Sequence, residues 1–235
     1  MNPVTLKVLS RLMVYPTANL LPALEEMRAI VKAESRLDKG MSNRLLEFIV
    51  QFDERELGAV QEEYVSLFDR GRALSLHLFE HVHGESRDRG QAMVDLINLY
   101  QENGLELDAR ELPDYLPLVL EYLSERPPED TYELLGDAMP IIVLLGARLR
   151  ERDSSYANLF EALEALVGSP DNAEDLREAA SQEGPDQTIV NMDEIWEEEQ
   201  VRFMGNNEPT TDCGAASAPL KRNLNQQQRT SRARS

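Results

Sequence analysis

A chain of 235 residues can bury a substantial core unaided, and its single cysteine, Cys213, excludes a disulfide framework and suits a reducing, cytoplasmic compartment. The 43 acidic and 24 basic side chains leave a formal net charge of −19, a field that repels phosphate backbones and anionic lipid and favours basic peptide ligands. The N-terminal stretch lacks the long uncharged core of a secretory signal. The most apolar run, Met139 to Leu149, is far shorter than the roughly 20 residues of a membrane span, so a soluble protein with neither a nucleic-acid partner nor membrane insertion is expected.

Apolar residues recur at helical spacing almost from end to end, with no strict alternation between hairpin turns, and this predicts an all-α bundle. Leu6, Leu9 and Met13 form the first stripe, stopped at Tyr15-Pro16 because proline disfavours helix in the residue before it. A second helix is expected over 17–33, capped by Thr17, with Leu20, Leu24, Met27 and Val31 on one face. Leu45, Phe48, Ile49 and Phe52 mark a third. Leu57, Val60, Tyr64, Leu67 and Phe68 mark a fourth, which ends before Gly71. A short helix over 74–82 and a longer one over 86–103 follow, the latter with Met93, Leu96, Ile97 and Tyr100 inward and Asn103-Gly104 as its break. Pro113 suits the first turn of a helix that faces Leu116, Val119, Leu120 and Leu123 inward. Residues 132–149 are apolar nearly all round and read as the central helix, with a kink expected near Pro140. Tyr156, Leu159, Phe160, Leu163 and Val167 mark a further helix before the break at Gly168-Ser169-Pro170.

This divides the chain into a helical domain over 1–170, an acidic, marginally ordered helical arm over 171–204, and a polar tail over 205–235 whose composition predicts disorder.

Chemistry-bearing residues concentrate over 67–97, where all three histidines lie among four arginines and several carboxylates. His77 and His81 are four apart, with Glu80, His83 and Glu85 close by, so zinc ligation and metal-dependent hydrolysis are one reading. The His-Glu-x-x-His order and paired cysteines are absent, and a satisfied polar network of histidines and carboxylates is the other reading. Arg87, Asp88 and Arg89 are expected to pair with Asp69, Glu80 or Glu85 and so to fix two helices together. Ser86 lacks the surroundings of a nucleophile, and the neighbouring glycines lack the spacing of a phosphate loop. Tyr64, if partly exposed and flanked by Glu62, Glu63 and Asp69, would stand at the mouth of a groove suited to a basic amphipathic peptide.

Three stretches, Leu67 to Leu96, Glu111-Leu-Pro-Asp-Tyr-Leu-Pro-Leu onward to Leu123, and Trp196-Glu-Glu-Glu-Gln-Val-Arg-Phe203, together resemble the TorD/DmsD/NarJ family of redox-enzyme maturation proteins. The most specific strings are Phe68-Asp-Arg-Gly-Arg72 and the run from Leu78 to Met93, and the likeness extends over about residues 6–203. It implies a cytoplasmic, non-enzymatic, all-helical chaperone of respiratory nitrate reductase. Such a protein binds the N-terminal segment of the apo catalytic (alpha) subunit, promotes insertion of the molybdenum cofactor and an iron–sulfur cluster, and then leaves. The resemblance further implies that no cofactor is bound stably, the molybdenum cofactor being handled through the client, and that molybdenum cofactor biosynthesis proteins are a second class of partner.

The family's Glu-Tyr-x-x-Leu-Phe motif is matched by Glu63-Tyr64-Val65-Ser66-Leu67-Phe68. A second family motif ends in Asp-His, with an aromatic three residues before the aspartate; here Asp114 is kept, but Tyr115 and Glu111 replace the other two. The resemblance thus points to Tyr64, Leu67 and Phe68 for apolar contact and to Glu63, Asp69 and Asp114 as anionic partners. Arg70, Arg72, Glu80, His81, His83, Glu85, Arg87, Asp88 and Arg89 would support the groove's shape. A helical adaptor for a different partner and a hydrolase using His77, His81 and His83 are the rival readings.

Overall fold

Helix stripes with capping or breaking residues between them produce a bundle. A computed structural model describes residues 3–82, 87–107 and 111–184, and among these the α-helices are α1 (Pro3–Met13), α2 (Leu24–Ala33), α3 (Lys39–Glu54), α4 (Leu57–Phe68), α5 (Leu78–Val82), α6 (Arg87–Glu102), α7 (Leu116–Leu123), α8 (Pro128–Glu151), α9 (Ala157–Val167) and α10 (Ala173–Gln182). The tail over 205–235 and the arm beyond Gly184 lie outside the described residues.

α8 is the spine, flanked by α9 and α10, while α1 packs on α7 and α2, and α3 lies against α2 and α9. Leu135, Met139, Ile142, Leu145 and Leu149 of α8 are buried, as are Leu6, Leu9 and Met13 of α1 and Leu159, Phe160 and Leu163 of α9. α8 continues through Pro140, which lies inside the helix. Gly146 brings α9 close: a Cβ there would stand 3.0 Å from the Phe160 Cβ.

Three boundaries differ from the sequence expectation. Thr17 makes no side-chain cap, and residues Ala18–Ala23 form a 3-10 turn before α2 begins at Leu24. Pro22 has no N–H to give to residue 18, so an α-helical bond is missing there. The helix over 74–82 shrinks to α5, and the helix expected from Pro113 starts at Leu116 with Pro117 in its first turn. Both changes have one cause. The Leu116 N–H donates to the Leu76 carbonyl (2.8 Å) and the Leu78 N–H to the Asp114 carbonyl (3.1 Å), so these backbones pair as an antiparallel His77–Tyr115 bridge instead of coiling.

The start of the acidic arm forms α10, which buries Ala173 and Ala180 and packs Leu176 against the core. Asp38 caps α3 by accepting from the Met41 N–H (2.7 Å), and Gly104 (φ 79°) and Gly168 (φ 119°) take the left-handed turns that release α6 and α9.

Candidate functional site

The His77–Tyr115 bridge brings two distant motifs to one place. A cavity of about 300 Å³ opens there, lined by Tyr15, Tyr64, Val65, Phe68, Asp69, Leu76, His77, Glu111 and Tyr115. α4 supplies Tyr64 and Phe68 one helical turn apart, the chain leaving α1 supplies Tyr15, and the bridge supplies the opposite wall.

Its aromatic floor is a set of rings in mutual contact. The Tyr64 ring lies 4.9 Å from Phe68 and 5.7 Å, edge-on, from Tyr15, and Phe68 meets the buried Tyr156 at 5.2 Å. Tyr64 is buried rather than at the mouth; its hydroxyl donates to the Met13 carbonyl (3.0 Å) and lies 3.1 Å from the Tyr115 hydroxyl. Burial first, then the neighbouring Tyr115, pushes the Tyr64 phenol far above its ordinary range, and burial raises Tyr115 too, so both stay neutral. The mouth aromatic is instead Tyr15, 43% exposed. It also lines an adjacent cavity of about 310 Å³ with Arg11, Leu20, Ala23 and Met27.

Asp114 is fully buried. Its Oδ2 accepts from the Phe79 N–H (3.0 Å), and its Oδ1 lies 3.3 Å from the His77 Nδ1. The hydrogen bond to Asp114 raises the His77 pKa from its ordinary 6.5, against a lowering by burial, and the His77 ring tilts over Tyr115 at 5.4 Å between centroids. His81 behaves oppositely: burial lowers its pKa, and its neutral Nε2–H donates to the Ser75 carbonyl (2.8 Å). Burial works to raise the Glu80 pKa, but the Ser75 hydroxyl and Arg89 outweigh it, and Arg89 reaches Glu80 at 3.3 Å. The expected pairing of the two helices is therefore made by Arg89.

The residues singled out from sequence thus separate. Tyr64, Phe68 and Asp69 line the cavity. Leu67 packs against the core, Glu63 is held by Arg55, and Asp114 is spent internally, so none of these three lines it. Arg70, Arg72 and Asp88 are exposed. His83, Glu85 and the Arg87 side chain lie outside the described residues. Tyr15, Leu76, His77, Glu111 and Tyr115 complete the lining; in sequence Tyr15-Pro16 reads only as a helix stop, His77 as a candidate metal ligand and Glu111 and Tyr115 as departures from a family motif, and no local periodicity announces a pairing between residues 77 and 115.

Among the described residues no group of three or more His, Cys, Asp or Glu side chains is arranged around a common metal position. His77 and His81 face different acceptors, and that is why their four-residue spacing does not converge. What remains is an aromatic hollow with two carboxylates, Asp69 and Glu111, at its edge. No helix among the described residues is long and apolar enough to cross a membrane.

Comparisons with known proteins agree with one another. A family model described as nitrate reductase delta subunit matches residues 34–162. The chain is 46% identical, over 85% of its length and 85% of the relative's, to the Escherichia coli K12 nitrate reductase molybdenum cofactor assembly chaperone NarJ. NarW of the same strain, a candidate for the same role, is 43% identical over 92% of this chain and 88% of its own. A crystal structure of a candidate redox enzyme maturation protein from Archaeoglobus fulgidus superposes with a TM-score of 0.50 at 24% identity, covering 71% of this chain and 93% of that one, and this likeness concerns the fold alone.

Proposed function

The chain belongs to the nitrate reductase delta subunit family, and on that footing we propose that it is a non-enzymatic assembly chaperone for a respiratory nitrate reductase. It binds the N-terminal segment of the apo catalytic subunit, keeps that subunit open for molybdenum cofactor and iron–sulfur cluster insertion, and is released before the enzyme is complete. The cofactor is cargo for the client rather than a resident group. The observation that carries this reading is the cavity: neutral phenols and apolar rings form its walls, while Asp69 and Glu111 stand at its rim.

That arrangement suits a short amphipathic segment with a basic residue near an apolar one. The rings exclude water from the apolar side chain, and the rim carboxylates draw in the cation, so the charge contributes mainly to encounter and the hollow to residence. A chaperone must also let go. A cavity of about 300 Å³ accommodates one or two side chains, which favours a contact that is specific but reversible.

Calorimetric titration of the full chain with a synthetic peptide of the catalytic subunit's N-terminus, at two salt concentrations, tests this. Saturable binding that weakens as salt rises is expected. Indifference to the peptide, together with unaltered cofactor content in a reductase produced without this chain, would overturn the proposal.

A further inference from the structure

The Leu76–His77 wall of the cavity belongs to residues 73–77, a segment held by its carbonyls from two sides. His81 Nε2 donates to the Ser75 carbonyl (2.8 Å), and Arg148, in the last turn of α8, donates from Nη1 to the Ala73 carbonyl (2.8 Å). The rest of that guanidinium is committed elsewhere. Its Nε and Nη2 form a two-point fork on Glu183 at 2.7 and 2.6 Å, and Glu183 is the residue that closes α10. The Arg148 side chain is only 15% exposed, so its charge is largely withdrawn from water and needs the carboxylate.

We propose that Arg148 is a positioning residue that couples α10 to the cavity: Glu183 fixes the guanidinium, and the fixed guanidinium holds the 73–77 segment that shapes the client's wall. The grip on the client thus depends on whether α10 is docked, an inference that rests on the cavity being the client site. The physics is that of a planar fork. Once two donors are locked on a carboxylate, the direction of the remaining Nη1 donors is set, which a lysine's single ammonium cannot reproduce. Without Glu183, a largely buried cation turns toward water or another acceptor, and the Ala73 carbonyl loses its aligned donor. α10 lies along α8 but buries few large side chains: it covers two alanines, packs Leu176, and beyond the Glu183 fork is tied by Arg177 to Glu164 at 2.6 Å, so the fork is a large part of its polar attachment. Thermodynamic linkage makes the coupling mutual: client bound against the wall retains α10, and α10 docked retains the client.

Hydrogen exchange in the full chain reads the segment directly, through the Ser75, His77 and Leu78 amides, which donate to the Arg72 carbonyl, the Ser75 hydroxyl and the Asp114 carbonyl. Glu183→Gln and Arg148→Gln are each expected to speed exchange there roughly tenfold, and to weaken binding of the catalytic-subunit N-terminal peptide by a comparable factor. Because Arg148→Gln could simply loosen α8, a charge reversal separates the two effects. Arg148→Glu with Glu183→Arg restores an ion pair to α10 but puts no donor on α8 for Ala73, so α10 should regain protection while residues 75–78 stay fast. Unchanged exchange in Glu183→Gln, recovery of residues 75–78 in the reversal, or faster exchange with unaltered peptide affinity would each overturn the coupling. If the unmodified chain ignores the peptide, the client reading fails, and the exchange measurements still decide whether Glu183 acts on the segment through Arg148.

Discussion

The Tyr115 hydroxyl stands 3.1 Å from the Tyr64 hydroxyl, which has already given its own proton to the Met13 carbonyl at 3.0 Å, so Tyr115 must be the donor. Two phenols thereby tie together the end of α1, the middle of α4 and the start of α7. Tyr64 is the node of this relay, and Tyr115 is its outer member.

Replacing Tyr64 with phenylalanine keeps the ring against Phe68 and Tyr15 but removes both hydrogen bonds, and the expected loss is about 1–2 kcal/mol in urea unfolding. Tyr115→Phe leaves the bond to Met13 intact and should cost less, about 0.5–1 kcal/mol, with a coupling of similar size in the double-variant cycle. Equal costs for the two single variants would mean the donor assignment is reversed.

The two described histidines should titrate on opposite sides of 6.5 in a proton NMR titration, His77 above and His81 below. For His77, the folded state binds the proton more tightly than the unfolded chain. The stability this contributes is present in full below 6.5 and is lost as pH rises through the higher folded value. For His81 the unfolded chain binds the proton more tightly, so stability falls as pH drops below 6.5 toward the lower folded value. The stability gap between the unmodified chain and His77→Gln should therefore widen as pH falls through the raised His77 value to 6.5, whereas the gap to His81→Gln should narrow only as pH falls below 6.5. Parallel curves for the two variants would contradict these environments.

Asp114 is a structural acid, and this reshapes any experiment that treats it as a client contact. Asp114→Ala removes the acceptor of both His77 and the Phe79 N–H from a site with no solvent access, an expected loss of about 2–3 kcal/mol. Asp114→Asn retains one acceptor oxygen and should recover part of this loss while lowering the His77 titration midpoint. Peptide binding by Asp114 variants is informative only beside their unfolding curves. Binding lost by Asp114→Ala with no loss of stability would return the residue to the client's side.

Helix periodicity was enough to read the bundle, because each stripe, from Leu6-Leu9-Met13 to Leu159-Phe160-Leu163, follows a local pattern that burial then enforces. Tyr64 and Phe68 were legible as a pair for the same reason. The opposite wall was not. His77 and Tyr115 are 38 positions apart and meet through a two-bond backbone bridge that leaves no mark on periodicity, and that bridge also consumed the first turns of two expected helices. Glu63 pairs with Arg55 and does not line the cavity, a partnership not legible in sequence because Arg55 lies before the start of α4, at an eight-residue separation that helix spacing does not read as contact.

Two glycines of α8 should respond to alanine with opposite signs. At Gly146 the added methyl would sit 3.0 Å from the Phe160 Cβ, so α9 must shift, at about 1–3 kcal/mol. At exposed Gly136 nothing lies within 4 Å, and alanine should stabilise by roughly 0.5–1 kcal/mol through helix propensity. Thermal midpoints moving down for Gly146→Ala and up for Gly136→Ala would establish that α8–α9 contact, rather than backbone freedom, selects glycine at 146.

The rim and the floor of the cavity should separate kinetically. Asp69 and Glu111 are exposed, so Asp69→Asn and Glu111→Gln should leave stability within about 0.5 kcal/mol. With a basic client peptide at low salt, each should slow association roughly two- to fivefold, and the difference should vanish once the Debye length falls to about 3 Å at molar salt. Dissociation should barely change. Tyr15→Ala should do the reverse, leaving association nearly intact and hastening release, since it strips the one large exposed ring from the mouth. Glu63→Gln is the internal control: its carboxylate is held by Arg55 away from the cavity, so it should alter association less than either rim variant. Stopped-flow traces in which Glu63→Gln slows association more than Glu111→Gln would place the cation-attracting edge on the outer face of α4, and the cavity would lose its claim to the client.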